Sequence, residues 1–155
     1  MNVFFLYLIR ISLALIVGGI VVVGAVVAPS VFMLVHDKTL AGEVMTEIFR
    51  RLNWITVGGS LFIASIEIIR SAMFGGVTQL FRAQKWRTLS LILLMGFSLY
   101  IGFWITPELN ELRLHLSASA PLPHRFGSLH RLSEVMYSIT FLIAMVLLFL
   151  FRRVT

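Results

Sequence analysis

Residues 11–28, ISLALIVGGIVVVGAVVA, run for eighteen positions without a charged side chain. Crossing a bilayer takes roughly 20 apolar residues in a helix that rises about 1.5 Å per residue. With the apolar residues before Ile11 added, the stretch is long enough. It exceeds the roughly 7–15 residues of a secretory signal's apolar core. Val26-Val27-Ala28 loosely fits a cleavage site, but Pro29 follows at once, so the stretch reads as a retained span over about 3–28.

Three further apolar stretches follow, at about 54–73, 88–106 and 132–151. Arg10 lies near the start of the first and Glu67 near the end of the second. Of the 155 residues 59% are apolar and 13% charged, with no cysteine. Soluble domains carry about 25% charged residues, so this composition excludes one, along with disordered, collagenous and disulfide-built chains. The expected fold is all-α: a polytopic membrane protein of one domain, residues 1–155, with four transmembrane helices in a bundle. Trp54, Trp86 and Trp104 fall at span ends, where an aromatic belt places them.

The connection 29–53 holds an expected short amphipathic interfacial helix. Leu40, Val44, Met45, Ile48, Phe49 and Leu52 form its apolar face, and Glu43, Glu47, Arg50 and Arg51 the polar one. Residues 74–87 begin with Gly75-Gly76 and carry bases without an acid. Residues 107–131 begin with Pro107, continue as a helical turn or two over Glu108–Leu116, and loosen through Ser117–Pro123. The end holding both termini carries Arg10, Arg70, Arg82, Lys85, Arg87, Arg152 and Arg153 against Glu67 alone, and so holds the whole net charge of +6. That favours both termini on the cytoplasmic side and contact with anionic lipid rather than nucleic acid. Each half reads as a span ended by a proline (Pro29, Pro107), an extramembrane segment and a returning span, with Asn53–Thr56 set against Tyr137–Thr140.

The polar residues of span two, Asn53, Thr56, Ser60, Glu67 and Ser71, recur at helical steps and share one face. Span four repeats the device with His130, Ser133, Tyr137 and Thr140. Polar groups are costly against lipid, so the two faces should turn inward as a polar seam. Such a seam serves either helix packing or a polar path. Glu67 either pairs with Arg70, three residues on, or binds a cation or proton. His130 lies four residues before Glu134, but one His and one carboxylate do not complete a metal site, and His36, His115 and His124 lack ligand spacing. No nucleophile elbow, paired-His helix or phosphate loop occurs, so no enzyme, cofactor or metal is expected.

Gly24–Phe32, Ala41-Gly42 and Ile48-Phe49 resemble the first half of the transmembrane protein 205-like family, whose bacterial members form a domain of unknown function. Pro107 with Leu112-Arg113 resembles the end of its third span. Phe126, Leu129, His130 and Ser133 resemble its Phe-x-x-Leu-His-x-x-Ser signature. Tyr137 stands where the family often has Asn, and Arg50 where it often has Pro. The resemblance implies four spans and directs attention to Pro29, Phe32, His130 and Ser133.

The sequence thus leads to a non-enzymatic protein of the bacterial inner membrane that binds or transports an ion, metal complex or small polar solute through the seam. The alternative is an accessory subunit of a larger membrane complex, with the seam serving packing alone. Membrane lipids, a second copy of the chain or other membrane subunits are the expected partners.

Overall fold

The computed structural model describes residues 3–74, 85–114 and 124–151. Span one begins as α1 (Val3–Val22), passes through a π-helical turn (Val23–Val27) and continues as α2 (Ala28–Leu34). Residues 35–37 turn the chain, and span two is the single helix α3 (Lys38–Phe74). Span three repeats the plan of span one: α4 (Lys85–Tyr100), a π-helical turn (Ile101–Ile105) and α5 (Thr106–Leu114). Span four is α6 (His124–Leu150). No strand occurs among the described residues, and all four spans are long and apolar enough to cross a membrane. The expectations for Gly75-Gly76, His115 and Ser117–Pro123 fall outside the described residues, as does the side chain of Ser71.

The prolines do not end their spans. A proline has no N–H for the carbonyl four residues back, and its ring crowds that carbonyl. Here the preceding turn is widened: Ala28 N–H donates to Val23 O, and Thr106 N–H to Ile101 O, five residues back in each case. A π turn of this kind lets the helix pass the obstacle without stopping. Span one therefore runs on to Leu34, and the turn expected after Pro107 is the tail of span three. Gly24 and Pro29 match Gly102 and Pro107 in spacing and in their place relative to the π turns, so the internal repeat has a backbone counterpart.

The expected interfacial helix is helical but not separate. It forms the first turns of α3, which at 37 residues is about 55 Å long and outreaches the bilayer core. Its buried face runs unbroken from Ala41 and Met45 through Leu52, Thr56, Ser60 and Ile63 to Glu67. No proline interrupts it, so nothing in the backbone separates the amphipathic segment from the span. Asp37 supplies the helix start, accepting from Leu40 N–H at 3.3 Å through Oδ1. Span four likewise starts earlier than expected, so the Phe126–Ser133 motif lies on the helix itself.

The spans pack in a ring: one against two, two against three, three against four, and four against one. At the end holding the termini, Leu6, Ile9, Leu13 and Ile16 of span one meet Ile63, Ile66, Leu91, Leu94, Ala144, Leu147 and Phe151. Beyond Ile16, span one contributes no buried residue. Up to Val22 it packs on spans two and four; beyond, α2 packs on α3, while span four leans on the far part of span three. The ring is thereby opened on one side.

Candidate functional site

The opening is a cleft of about 660 Å³ between spans one and four. Ile20, Val21, Gly24, Ala25, Ala28 and Phe32 form the wall of span one. Phe126, His130, Ser133, Glu134, Tyr137, Ser138, Phe141 and Leu142 form that of span four. Gly42, Met45, Thr46 and Phe49 of span two and Ile101, Thr106 and Leu109 of span three close the back. Ile20 to Phe32 covers about 18 Å of helix, so the cleft follows half a bilayer. Both π turns border it, and the small residues of the first (Gly24, Ala25) leave the space that a larger side chain would fill. A Cβ on Gly24 would meet nothing within 4 Å.

The polar groups of the cleft are partly committed. Thr46 Oγ1 donates to Gly42 O at 2.8 Å, Thr106 Oγ1 to Ile101 O at 2.9 Å, and Ser133 Oγ to His130 O at 2.7 Å. Each hydroxyl oxygen retains lone pairs for a further donor. Tyr137 crosses the bundle, its hydroxyl donating to Phe49 O at 3.2 Å while the two rings lie 5.2 Å apart. The His130 ring stacks on Phe126 at 6.2 Å, and Nε2 lies 3.4 Å from Glu134 Oε1. This cluster marks the end of the cleft away from the termini.

The residues read from sequence as one seam thus divide. His130, Ser133 and Tyr137 line the cleft, whereas Asn53, Thr56, Ser60, Glu67 and Thr140 are buried in the bundle and are not among its lining. Thr56, Ser60 and Thr140 donate to carbonyls of their own helices, Leu52 O, Val57 O and Met136 O. Ser98 of span three joins this layer in the same way, bonding Leu94 O at 2.8 Å. Asn53, 3% exposed, packs against Gly102, and its Oδ1 is buried without a hydrogen-bond partner. Glu67 accepts from Arg70 at 2.7 Å and from Arg87 of span three at 2.9 Å. Of the motif residues, Phe32 and Phe126 line the cleft, Pro29 is exposed next to its wall, and Leu129 is half-buried on span four.

Sequence reasoning missed Gly42, Thr46, Glu134 and Phe141. Gly42 and Thr46 stand four apart, a helical signal obscured by the reading of 40–52 as a surface helix. No group of three or more His, Asp or Glu suited to a metal ion occurs among the described residues. Trp54, Trp86 and Trp104 all lie exposed on the outside of the bundle.

Four membrane-length helices around a laterally open cleft define a polytopic α-helical membrane protein. The chain belongs to the family described as Domain of unknown function (DUF4149), whose model matches residues 11–117. The match holds both Gly-x-x-x-x-Pro segments and ends before span four. No curated protein and no solved structure matches the chain.

Proposed function

We propose that the protein is a non-enzymatic membrane protein that binds a small amphipathic molecule from within the bilayer. The apolar body of the ligand lies between spans one and four, and its polar end meets His130, Ser133 and Glu134. The carrying observation is the cleft itself: about 660 Å³, apolar along most of its walls, with its polar side chains gathered on span four. Its size falls within the roughly 300–1,000 Å³ of small-molecule sites. A path for an ion, metal complex or polar solute along the deeper seam has less support. The hydroxyls there bond their own backbone, and Glu67 is neutralised by two guanidiniums.

The test uses cis-parinaric acid, an acyl chain with one polar end, added to protein in mild detergent. Saturable binding is expected, weakened at least about tenfold by Gly24→Leu, which fills the cleft without a clash. Binding that does not saturate, or that Gly24→Leu leaves unchanged, would overturn the reading.

Span one favours a second reading, an accessory subunit or homo-oligomer. Its outer face exposes Ala14, Gly18 and Ala25, small residues that permit close helix approach. Co-purification of a larger membrane complex in mild detergent would support it. Placement in a bacterial inner membrane with both termini cytoplasmic, and kinship with the transmembrane protein 205-like proteins, belong to the same proposal. The first rests on the basic end of the bundle, the second on the Pro29 and His130 motifs.

A further inference from the structure

The end of the bundle opposite the cleft is held by one carboxylate and three guanidiniums. Glu67 of span two accepts from Arg70 at 2.7 Å and from Arg87 of span three at 2.9 Å. The Arg87 guanidinium lies 3.8 Å from the ring centre of Phe151, at the end of span four. Arg10 of span one donates to Phe151 O at 3.0 Å. Every span therefore contributes one group to a single knot, whose Glu67, Arg70 and Arg87 side chains are 6%, 16% and 15% exposed.

The knot does not balance. Three guanidiniums face one carboxylate, which leaves two positive charges in a poorly hydrated place. The sequence has no Asp or Glu before Asp37, between Glu67 and Glu108, or after Glu134, so no other acidic side chain belongs to this end. Arg87 Nε is, in addition, buried without a hydrogen-bond partner. Buried charge without a counter-charge is costly, and so is a buried donor without an acceptor.

We propose that Arg10, Arg70 and Arg87 form a binding site for a phosphate group at this end of the bundle. A guanidinium presents a planar fork of donors that matches phosphate oxygens two at a time, and it carries its charge at every physiological pH. The site lies where the spans leave their apolar stretches, the depth at which lipid phosphates sit. A phosphate there supplies the missing negative charge and an acceptor for Arg87. Glu67 acts as internal counterion, holding Arg70 and Arg87 side by side and limiting how strongly the site attracts anions. This site is independent of the cleft, and its test does not involve the cleft's ligand.

The test compares the thermal unfolding midpoint and the bound-lipid count by native mass spectrometry. Protein in neutral detergent is given phosphatidylglycerol, phosphatidylcholine or inorganic phosphate. Phosphatidylglycerol should raise the midpoint and bind at one molecule per chain, and phosphatidylcholine should do neither. Arg87→Gln should weaken that binding at least about tenfold, the usual weight of one charged hydrogen bond. Glu67→Gln should act in the opposite direction, enlarging the anion-dependent rise even if its own midpoint without lipid is lower. It therefore keeps the test valid where Arg87→Gln does not fold. A rise equal for inorganic phosphate and phosphatidylglycerol supports the phosphate site and assigns it to a soluble anion. Equal rises for phosphatidylcholine and phosphatidylglycerol, or the same anion-dependent rise in Glu67→Gln as in the unaltered protein, would overturn the proposal.

Discussion

Gly102 lies against the amide of Asn53, and a Cβ there would overlap Asn53 Nδ2. Gly102→Ala must therefore displace a buried side chain whose Oδ1 already lacks a partner. Overpacking of this kind costs about 1–3 kcal/mol, read as a lower unfolding midpoint in detergent. Gly58 gives the contrast, because a Cβ there meets nothing within 4 Å. Gly58→Ala adds helix propensity of up to about 1 kcal/mol and should leave the midpoint equal or higher. Equal losses in the two variants would mean that Asn53 does not press on Gly102. Asn53→Leu makes a related point: it removes an unpartnered buried acceptor and keeps most of the volume. It should be neutral or stabilising, and a loss of more than about 2 kcal/mol would show that the amide has a partner in the membrane.

The elements were legible in proportion to how far helical periodicity governs them. Asn53, Thr56, Ser60 and Glu67 share one inward face because a 3.6-residue period is indifferent to what lies across from it. The Glu67–Arg70 pair could be read at the same local range, whereas Arg87 could not: it reaches Glu67 from another span, twenty residues on. The prolines misled for a physical reason. A breaker rule counts the lost bond but not the π turn that absorbs it, and so Pro29 and Pro107 were expected to end spans they only reshape. The cleft was illegible because it arises from missing contacts, where span one beyond Val22 leaves span four. Span four carries the prediction at this scale. His130 is exposed and touches only its own helix, through Phe126 and Glu134, so His130→Ala should change stability by no more than about 0.5 kcal/mol. Tyr137→Phe cuts a bond across the bundle, to Phe49 O, and should cost about 1 kcal/mol. Denaturant unfolding of both variants checks the order. If His130→Ala proved the more damaging, the helix would have to be rotated.

For the whole molecule the decisive asymmetry is that of charge and packing together. The closely packed end with Phe151 at its base also holds Arg10, Arg70 and Arg87, while the opened end holds the acids Asp37, Glu43, Glu47, Glu108 and Glu134. At that opened end Glu47 is engaged by Arg50 at 2.7 Å and Arg51 at 2.8 Å, and Glu108 by Arg125, so its charges compensate one another locally. Uncompensated bases resist translocation more than balanced ones, which places the knot and both termini in the cytoplasm and opens the cleft toward the outer leaflet. The chain contains no cysteine, so single introduced thiols can report this arrangement without background. His36 is exposed in the connection between spans one and two, and Lys85 is exposed at the start of span three, on the other side. In intact cells, His36→Cys should react with a membrane-impermeant maleimide from outside, and Lys85→Cys only after permeabilisation. Neither side chain belongs to the cleft or the knot, so both substitutions should leave the fold undisturbed. The reverse labelling pattern would invert the protein in its membrane and would place the cleft, together with whatever amphipathic molecule it holds, in the inner leaflet.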